Sequence, residues 1–253
     1  MVITGADTRR GRGKATSPNP VKEAALELGL RVEHEVEALL ESDAQLGIVV
    51  AYGAILRSPL LDHMPFVNLH FSLLPRWRGA APVERAILSG DVETGVCVMA
   101  IEEGLDTGGI YASATTPVDD KTLFELWEEL SDLGGELLVQ WLPQAFAHGE
   151  LLAPTPQRGE ATYAAKLAAE DRRVDLDAPA AEQFARVRLG NAWTMVGDKR
   201  LKLIEASLDR SVPDVRIEYL RVQPEGKRPM LFSDWWRGAT DEQRAAFAQG
   251  PPT

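Results

Sequence analysis

Phe66-Val67-Asn68-Leu69-His70 runs directly into Phe71-Ser72-Leu73-Leu74-Pro75-Arg76-Trp77-Arg78-Gly79-Ala80-Ala81-Pro82, and this junction decides the fold. The first five residues read as an apolar strand. Side chains alternate faces along a strand, so Asn68 and His70 point one way while Val67 and Leu69 point the other. Two polar groups therefore project from one side of a strand's last residues. A loop rich in Pro, Arg and Gly follows, and then a helix opened by Pro82. An open α/β sheet places its ligands there, in the crevice beyond the carboxyl ends of its strands.

Working outward, Leu46-Gly47-Ile48-Val49-Val50-Ala51-Tyr52-Gly53 is a nearly continuous apolar run, as expected of a strand buried on both faces of a parallel sheet. Val96 to Ile101 reads as a second buried strand, with Gly104-Leu105-Asp106-Thr107-Gly108-Gly109 as the loop at its end. Ile110 to Thr116 is a further strand. From Lys121 to about Phe146 the apolar residues recur at helical spacing, which predicts one long amphipathic helix whose stripe is core. Before this region, Met1 to Thr4 reads as a short strand and Gly5 to Pro20 as a loop. That loop has two readings, a solvated surface segment or a flexible basic arm. Pro20 opens a helix to about Leu28 with Gly29 as its stop, and Val36 to Glu41 reads as another. Strands alternating with helices give an α/β fold with a mostly parallel sheet and helices on both faces.

The composition then shifts. Leu151 to Gly159 is Pro-rich, and the stretch from Tyr163 to Asp177 is charged. The expected division is a first domain over 1–160, a linker over 161–177 and a small β-rich domain over 178–253. In that second domain, Trp193 to Ser207 predicts a hairpin around Gly197-Asp198, Arg216 to Val222 a half-buried strand, and 240–249 a closing helix.

The chain has 253 residues, enough to bury a sizeable core, and hydrophobic residues make up 45% of it, so it reads as a globular protein. No apolar run reaches membrane-spanning length, and the N-terminus lacks the apolar core of a signal peptide. Cys97 is the only cysteine, which excludes an intrachain disulfide and a cysteine metal cluster. His34, His63, His70 and His148 lack ligand spacing. These features predict a cytoplasmic protein without a structural metal. The net charge of -11 argues against general nucleic-acid binding. The charge is uneven, however: Arg9, Arg10, Arg12, Lys14 and Lys22 fall in a stretch without acids, and Lys199, Arg200 and Lys202 form a second basic cluster. Such patches leave a nucleic-acid partner open.

Asn68, His70 and Asp106 are the candidate reacting groups. His70 can take or give a proton near neutral pH. Asn68 can donate a hydrogen bond to an oxygen that gains negative charge, as acyl transfer requires. Asp106 follows another strand and could reach the same crevice, where a carboxylate would orient the imidazole and favour its charged form. No serine or cysteine sits in a nucleophile-elbow context, so direct transfer to an incoming amine is expected rather than a covalent intermediate. Each residue also has a structural reading. His70 could be a satisfied residue at a strand end, and Asp106 a turn residue capping its own backbone. Arg76, Trp77 and Arg78 suit either an exposed loop or the recognition of an anion or a stacked ring.

Asn68-Leu69-His70 with Ser72 through Pro82, and Gly95 through Met99 with Glu103 through Gly108, strongly resemble the methionyl-tRNA formyltransferase signature. The segment from Arg10 to Glu23 resembles that family's basic loop, and Gln223 to Met230 resembles the last strand of its C-terminal barrel. The resemblance implies a Rossmann-like catalytic domain followed by an OB-like barrel. It implies formyl transfer from 10-formyltetrahydrofolate to the methionine α-amino group of initiator tRNA, with no metal and no obligate protein partner. Asn68, His70 and Asp106 match its catalytic trio, and Ser72, Leu73, Leu74 and Pro75 its folate-lining segment. Arg9, Arg10, Arg12, Lys14 and Lys22 match its tRNA-contacting loop. Two departures stand out. Relatives begin with a complete strand and helix before the basic loop, whereas Met1 here lies in what reads as the second strand. The stretch from Asp209 to Asp214 bridges directly to the last strand, which implies a compressed barrel. Two other functions fit these departures: a formyltransferase or formyl-folate hydrolase acting on a small molecule, and a non-catalytic folate- or tRNA-binding remnant.

Overall fold

A computed structural model describes residues 1–9, 16–53, 56, 58–247, 250 and 251. It divides into two compact units, Met1–Val67 and Asn68–Thr253.

In the first unit, β1 (Val2–Ile3) pairs in parallel with β4 (Val32–Glu33). Between them lie β2 (Thr8–Arg9), β3 (Thr16–Ser17) and α1 (Pro20–Glu27). The expected loop from Gly5 to Pro20 is thus partly paired: β2 and β3 form an antiparallel ladder, with Thr8 opposite Ser17 and Arg9 opposite Thr16. β-Branched threonines favour that extended geometry, a signal that the loop's Gly and Pro content obscured. Helix α1 starts where expected. Pro20 stands in its first turn, and the Asn19 side chain accepts from the Lys22 amide at 2.9 Å. The stretch Val36–Glu41 is a 3-10 helix.

Strand β5 (Gly47–Val50) departs from its expected double burial. Ile48 and Val50 are 42% and 48% exposed, while Gly47 and Val49 are half-buried. An unbroken apolar run cannot distinguish a strand covered on both faces from one covered on one face. Gly47 is required by close approach, since a Cβ there would lie 2.1 Å from the Phe66 ring. A short helix, α2 (Ser58–His63), leads to β6 (Phe66–His70), within which the boundary between the units falls.

In the second unit the chain leaves β6 through β7 (Arg78–Gly79), α3 (Pro82–Leu88), β8 (Glu93–Ala100) and β9 (Ile110–Pro117). β6, β8 and β9 are successive neighbours in one sheet. β9 runs antiparallel to β8, with Cys97 opposite Ser113. Val96, Cys97, Val98 and Met99 are all buried, as their apolar run predicts. Helix α4 (Leu123–Trp141) opens on a reciprocal capping box between Thr122 and Glu125. It buries Leu126 and Leu130 and brings Gly134 against Leu69 of β6, so the apolar stripe is core. It is shorter than its pattern, because Leu142 to Gln144 tighten into a 3-10 turn. Burial pushes the Cys97 thiol up to about 11. The thiolate is the form that attacks alkylating reagents, so the native protein is expected to resist alkylation at pH 8 and to react fully once denatured, a comparison read by intact mass.

A hairpin, β10 (Phe146–Ala147) and β11 (Glu150–Leu151), precedes β12 (Tyr163–Ala164). β12 pairs in parallel with β7, with Tyr163 opposite Arg78 and Ala164 opposite Gly79. The rest consists of α5 (Ala180–Arg188), β13 (Ala192–Val196), β14 (Lys199–Asp209), β15 (Arg216–Pro224), β16 (Met230–Leu231), α6 (Phe232–Gly238) and α7 (Asp241–Ala245). The four strands form an antiparallel sheet in sequence order, and the first turn is at Gly197-Asp198 as expected. Phe184, Leu203, Tyr219, Val222, Phe232 and Phe247 fill its buried side. The expected barrel is represented by this open sheet. Among the described residues β13 and β16 are its outer strands, and β16 offers only a two-residue pairing with β15, too little to close a barrel. Arg210 anchors this part to the turn before α4 through two 2.7 Å bonds to Asp120. Arg188 donates to the carbonyls of Asp119 and Lys121 in the same turn.

Candidate active site

His70 ends β6 and is buried. Its Nε2 lies 2.9 Å from the Trp77 carbonyl oxygen, and its Nδ1 lies 3.7 Å from Asp106 Oδ2. A carbonyl only accepts, so Nε2 carries a hydrogen. Nδ1 stands at ion-pair distance from the carboxylate, beyond a hydrogen bond. It is the ring atom left without a hydrogen bond among the described residues, and in the imidazolium form it carries a donor. Asn68 is half-buried on the same face of β6, and its side-chain amide has no hydrogen-bond partner among the described residues.

The Asp106 side chain reaches out of its own turn. Its backbone is left-handed (φ 49°), and Oδ2 accepts from the Gly79 amide at 2.7 Å, 27 residues away. Gly79 itself has φ 117°, and a Cβ there would meet the Ala164 carbonyl oxygen at 2.9 Å, so only glycine fits between β12 and Asp106. The structure thus brings His70 and Asp106 together, with Asn68 two residues before His70 on the same strand.

The loop after β6 is held largely by its own polar groups. Ser72 is fully buried and its hydroxyl donates to the Arg76 carbonyl at 2.6 Å. Leu74 packs with Cys97, Met99 and Ile110, and the Leu74–Pro75 peptide is cis. Leu73 and Pro75 are half-buried. Arg76 is not free for an anion. Its guanidinium makes 2.8 and 2.5 Å bonds to Asp91 and lies 4.4 Å above the Trp77 ring. The hydrogen bond to Asp91 raises its pKa above the ordinary arginine value. Asp91 also accepts from Trp77 Nε1 at 2.7 Å. The anion or stacked-ring reading of Arg76 and Trp77 therefore gives way to an internal clamp, because the carboxylate of Asp91 supplies the countercharge.

Sequence reasoning missed Asp91, Gln157 and Thr162. The Thr162 hydroxyl accepts from the Trp77 amide at 2.9 Å. Gln157 bonds to Arg78 and to the carbonyls of Asp106 and Gly108. The available signal was a polar amide set in the irregular stretch Pro154-Thr155-Pro156-Gln157, which has no periodicity to explain it. Of the basic-loop residues, Arg9 ends β2, while Arg10, Arg12 and Lys14 lie outside the described residues. Lys22 lies on α1 and its amine pairs with Asp7 at 2.7 Å. Among the described residues no three His, Cys, Asp or Glu side chains gather as metal ligands, and no helix is long and apolar enough to cross a membrane.

A buried histidine facing a carboxylate, with an unpartnered amide two residues before it on the same strand face, has the donors and acceptors that acyl-type group transfer can use. Residues 1–142 match the sequence family described as Formyl transferase. The methionyl-tRNA formyltransferase of Clavibacter sepedonicus is 37% identical over 95% of this chain and 89% of its own length. The chain belongs to the methionyl-tRNA formyltransferase family. Among solved structures, methionyl-tRNA formyltransferase from Clostridium thermocellum superposes with a TM-score of 0.57 at 17% identity, covering 80% of this chain and 91% of that one. HypX from Aquifex aeolicus, in complex with tetrahydrofolic acid, gives 0.63 at 18% identity over 90% of this chain. This chain spans only 45% of HypX, and at such identities both likenesses bear on the fold alone.

Proposed function

We propose that this protein transfers a formyl group from 10-formyltetrahydrofolate to the α-amino group of methionine on initiator tRNA, in the cytoplasm, through Asn68, His70 and Asp106. The observation that carries this reading is His70 fixed at Nε2 by the Trp77 carbonyl, with Nδ1 open beside Asp106. The amine nitrogen bonds to the formyl carbon, whose oxygen becomes an oxyanion. Asn68 and protonated His70 donate to that oxygen. Asp106 orients His70 and receives the proton that the amine loses. The carbon–nitrogen bond to the folate then breaks, and the folate nitrogen leaves with the proton that Asp106 received.

Folate binding fits the segment Ser72-Leu73-Leu74-Pro75, where half-buried Leu73 and Pro75 and the backbone supply the contact surface. Ser72 and Leu74 support it from inside, given their burial. For the tRNA, Arg9, Arg10, Arg12 and Lys14 supply the basic loop. Lys22, whose amine pairs with Asp7, joins them from α1. We assign catalysis to 1–160 and an OB-like tRNA-facing role to 178–253, joined by 161–177. In the latter part Trp193 lies opposite Lys202, and the Arg200 and Arg173 guanidiniums approach its ring at 4.1 and 5.7 Å. Opposed residues of an antiparallel pair share a face, so this sheet presents cations and an aromatic ring together, as nucleic-acid binding favours. The test is formylation of methionyl initiator tRNA by the purified protein with 10-formyltetrahydrofolate. Transfer that depends on both substrates is the expected result. Formyl release without tRNA, or folate binding without transfer, overturns it.

A further inference from the structure

The two partners of His70 come from different segments. Trp77, in the loop after β6, meets Nε2, and Asp106, in the loop after β8, faces Nδ1. The spacing between histidine and carboxylate therefore depends on what ties these loops to each other. One tie is the Gly79 amide on Asp106 Oδ2. The other is Gln157. Its Nε2 donates to the carbonyls of Asp106 at 2.9 Å and Gly108 at 2.8 Å. Its Oε1 accepts from Arg78 at Nε (3.1 Å) and Nη2 (2.6 Å). The side chain thus uses both amide hydrogens on one loop and its oxygen on the other. Arg78 is adjacent in sequence to Trp77, whose carbonyl holds His70, and to Gly79, whose amide holds Asp106.

Gln157 is itself held. It follows Thr155, which exchanges backbone hydrogen bonds with Ile110 at 2.7 and 2.9 Å, and it precedes Thr162, which receives the Trp77 and Arg78 amides. We propose that Gln157 is a positioning residue for formyl transfer: it cross-links the Trp77–Gly79 and Asp106–Gly108 segments and so fixes the Asp106 carboxylate against His70. An amide suits this position because the two segments make opposite demands. Two carbonyls need donors and one guanidinium needs an acceptor, and glutamine alone among side chains of this length offers both. Asp106 has a left-handed backbone that non-glycine residues hold only when their surroundings impose it, and Gln157 grips its carbonyl.

The proposal rests on the functional reading above, and its test keeps the two apart. Formylation kinetics are measured for wild type, Asp106→Asn, Gln157→Ala, Gln157→Glu and the double variant Gln157→Ala/Asp106→Asn. Misplacing a reacting group costs rate rather than affinity, so Gln157→Ala is expected to lower kcat by roughly 10- to 100-fold with both KM values little changed. Gln157→Glu, though isosteric, is expected to fall further. It keeps the acceptor for Arg78 but turns a carboxylate toward the carbonyls of Asp106 and Gly108. In the double variant Gln157→Ala is expected to add no further loss to Asp106→Asn, because both act through the same carboxylate. Wild-type kcat in Gln157→Ala, a glutamate variant as active as wild type, or fully multiplicative losses in the double variant would each overturn the proposal while leaving the formyl-transfer reading intact. An inactive wild type or a fully active Asp106→Asn overturns both. Near-UV circular dichroism checks the fold, and if the alanine variant loses it, Gln157→Met, which keeps the volume, takes its place in the cycle.

Discussion

His70→Ala is expected to lower kcat for formylation by roughly 10²- to 10⁴-fold, the range for losing a positioned proton donor or acceptor, with KM for tRNA little changed. His70 meets the Trp77 carbonyl at Nε2 and faces Asp106 at Nδ1, on the strand face that it shares with Asn68. On the proposed mechanism its loss removes an oxyanion donor, and it leaves the Trp77 carbonyl without this donor, at a cost to stability of about 1–3 kcal/mol. A melting temperature taken alongside the kinetics separates the two effects. Asn68→Ala, which breaks no hydrogen bond among the described residues, is expected to lose about 10²- to 10³-fold in kcat with no change in melting temperature. The pair of results is diagnostic. A structural histidine would show its effect in the melt with turnover intact, whereas a catalytic pair shows it in turnover. Unchanged turnover in His70→Ala would sink the assignment.

Strand β6 and the loop after it were legible because they obey short-range rules. Alternation along 66–70 puts Asn68 and His70 on one face, Pro82 opens α3, and the apolar run at 96–99 is buried as its composition requires. Asp106 could be placed at the end of a strand, which is why it could be paired with His70 at all. What sequence did not reveal is held by long-range polar contacts. Asp91 reaches back to Arg76 and Trp77, Gln157 spans to Asp106, and Thr162 to Trp77, across separations of 14, 51 and 85 residues. Irregular segments carry no period, and a hydrogen bond leaves no mark on the sequence between its partners. The β7–β12 pairing escaped for the same reason, because a two-residue strand has no alternation to detect. Strand β5 failed differently. Its apolar run predicts double burial, yet hydrophobicity limits where a residue prefers to be and does not say which face is covered. The open sheet formed by β13 to β16 shows the same limit, since alternation predicts strands but not whether the first and last of them meet.

The second large effect is expected at Gly108. A Cβ on this residue would lie 1.9 Å from the Ala100 carbonyl oxygen and 2.7 Å from its carbon. Both are backbone atoms of β8, so no side chain can swing aside, and the loop itself must move. The Ala100 amide donates to the Gly109 carbonyl at 2.8 Å, so the displacement strains the hydrogen bond that closes this turn. The Gly108 and Asp106 carbonyls would leave Gln157, and the Asp106 carboxylate would leave Gly79 and His70. Gly108→Ala is therefore expected to destabilise the fold by about 1–3 kcal/mol, the usual cost of overpacking. A displacement of about 1 Å at Asp106 is expected to lower kcat by roughly 100-fold in the fraction that remains folded. Two other glycines set the scale. At Gly104 the added carbon would meet the Thr107 side chain, whose rotation can relieve part of the clash, so Gly104→Ala is expected to be milder. Gly135 lies within α4 with nothing inside 4 Å, so Gly135→Ala is expected to raise stability by up to about 1 kcal/mol through helix propensity, with kcat unchanged. Thermal melts and single-turnover formylation on the three variants read both quantities. A Gly108→Ala protein with wild-type turnover would show that the Asp106 loop tolerates displacement, and the close geometry around His70 would then not be what sets the rate.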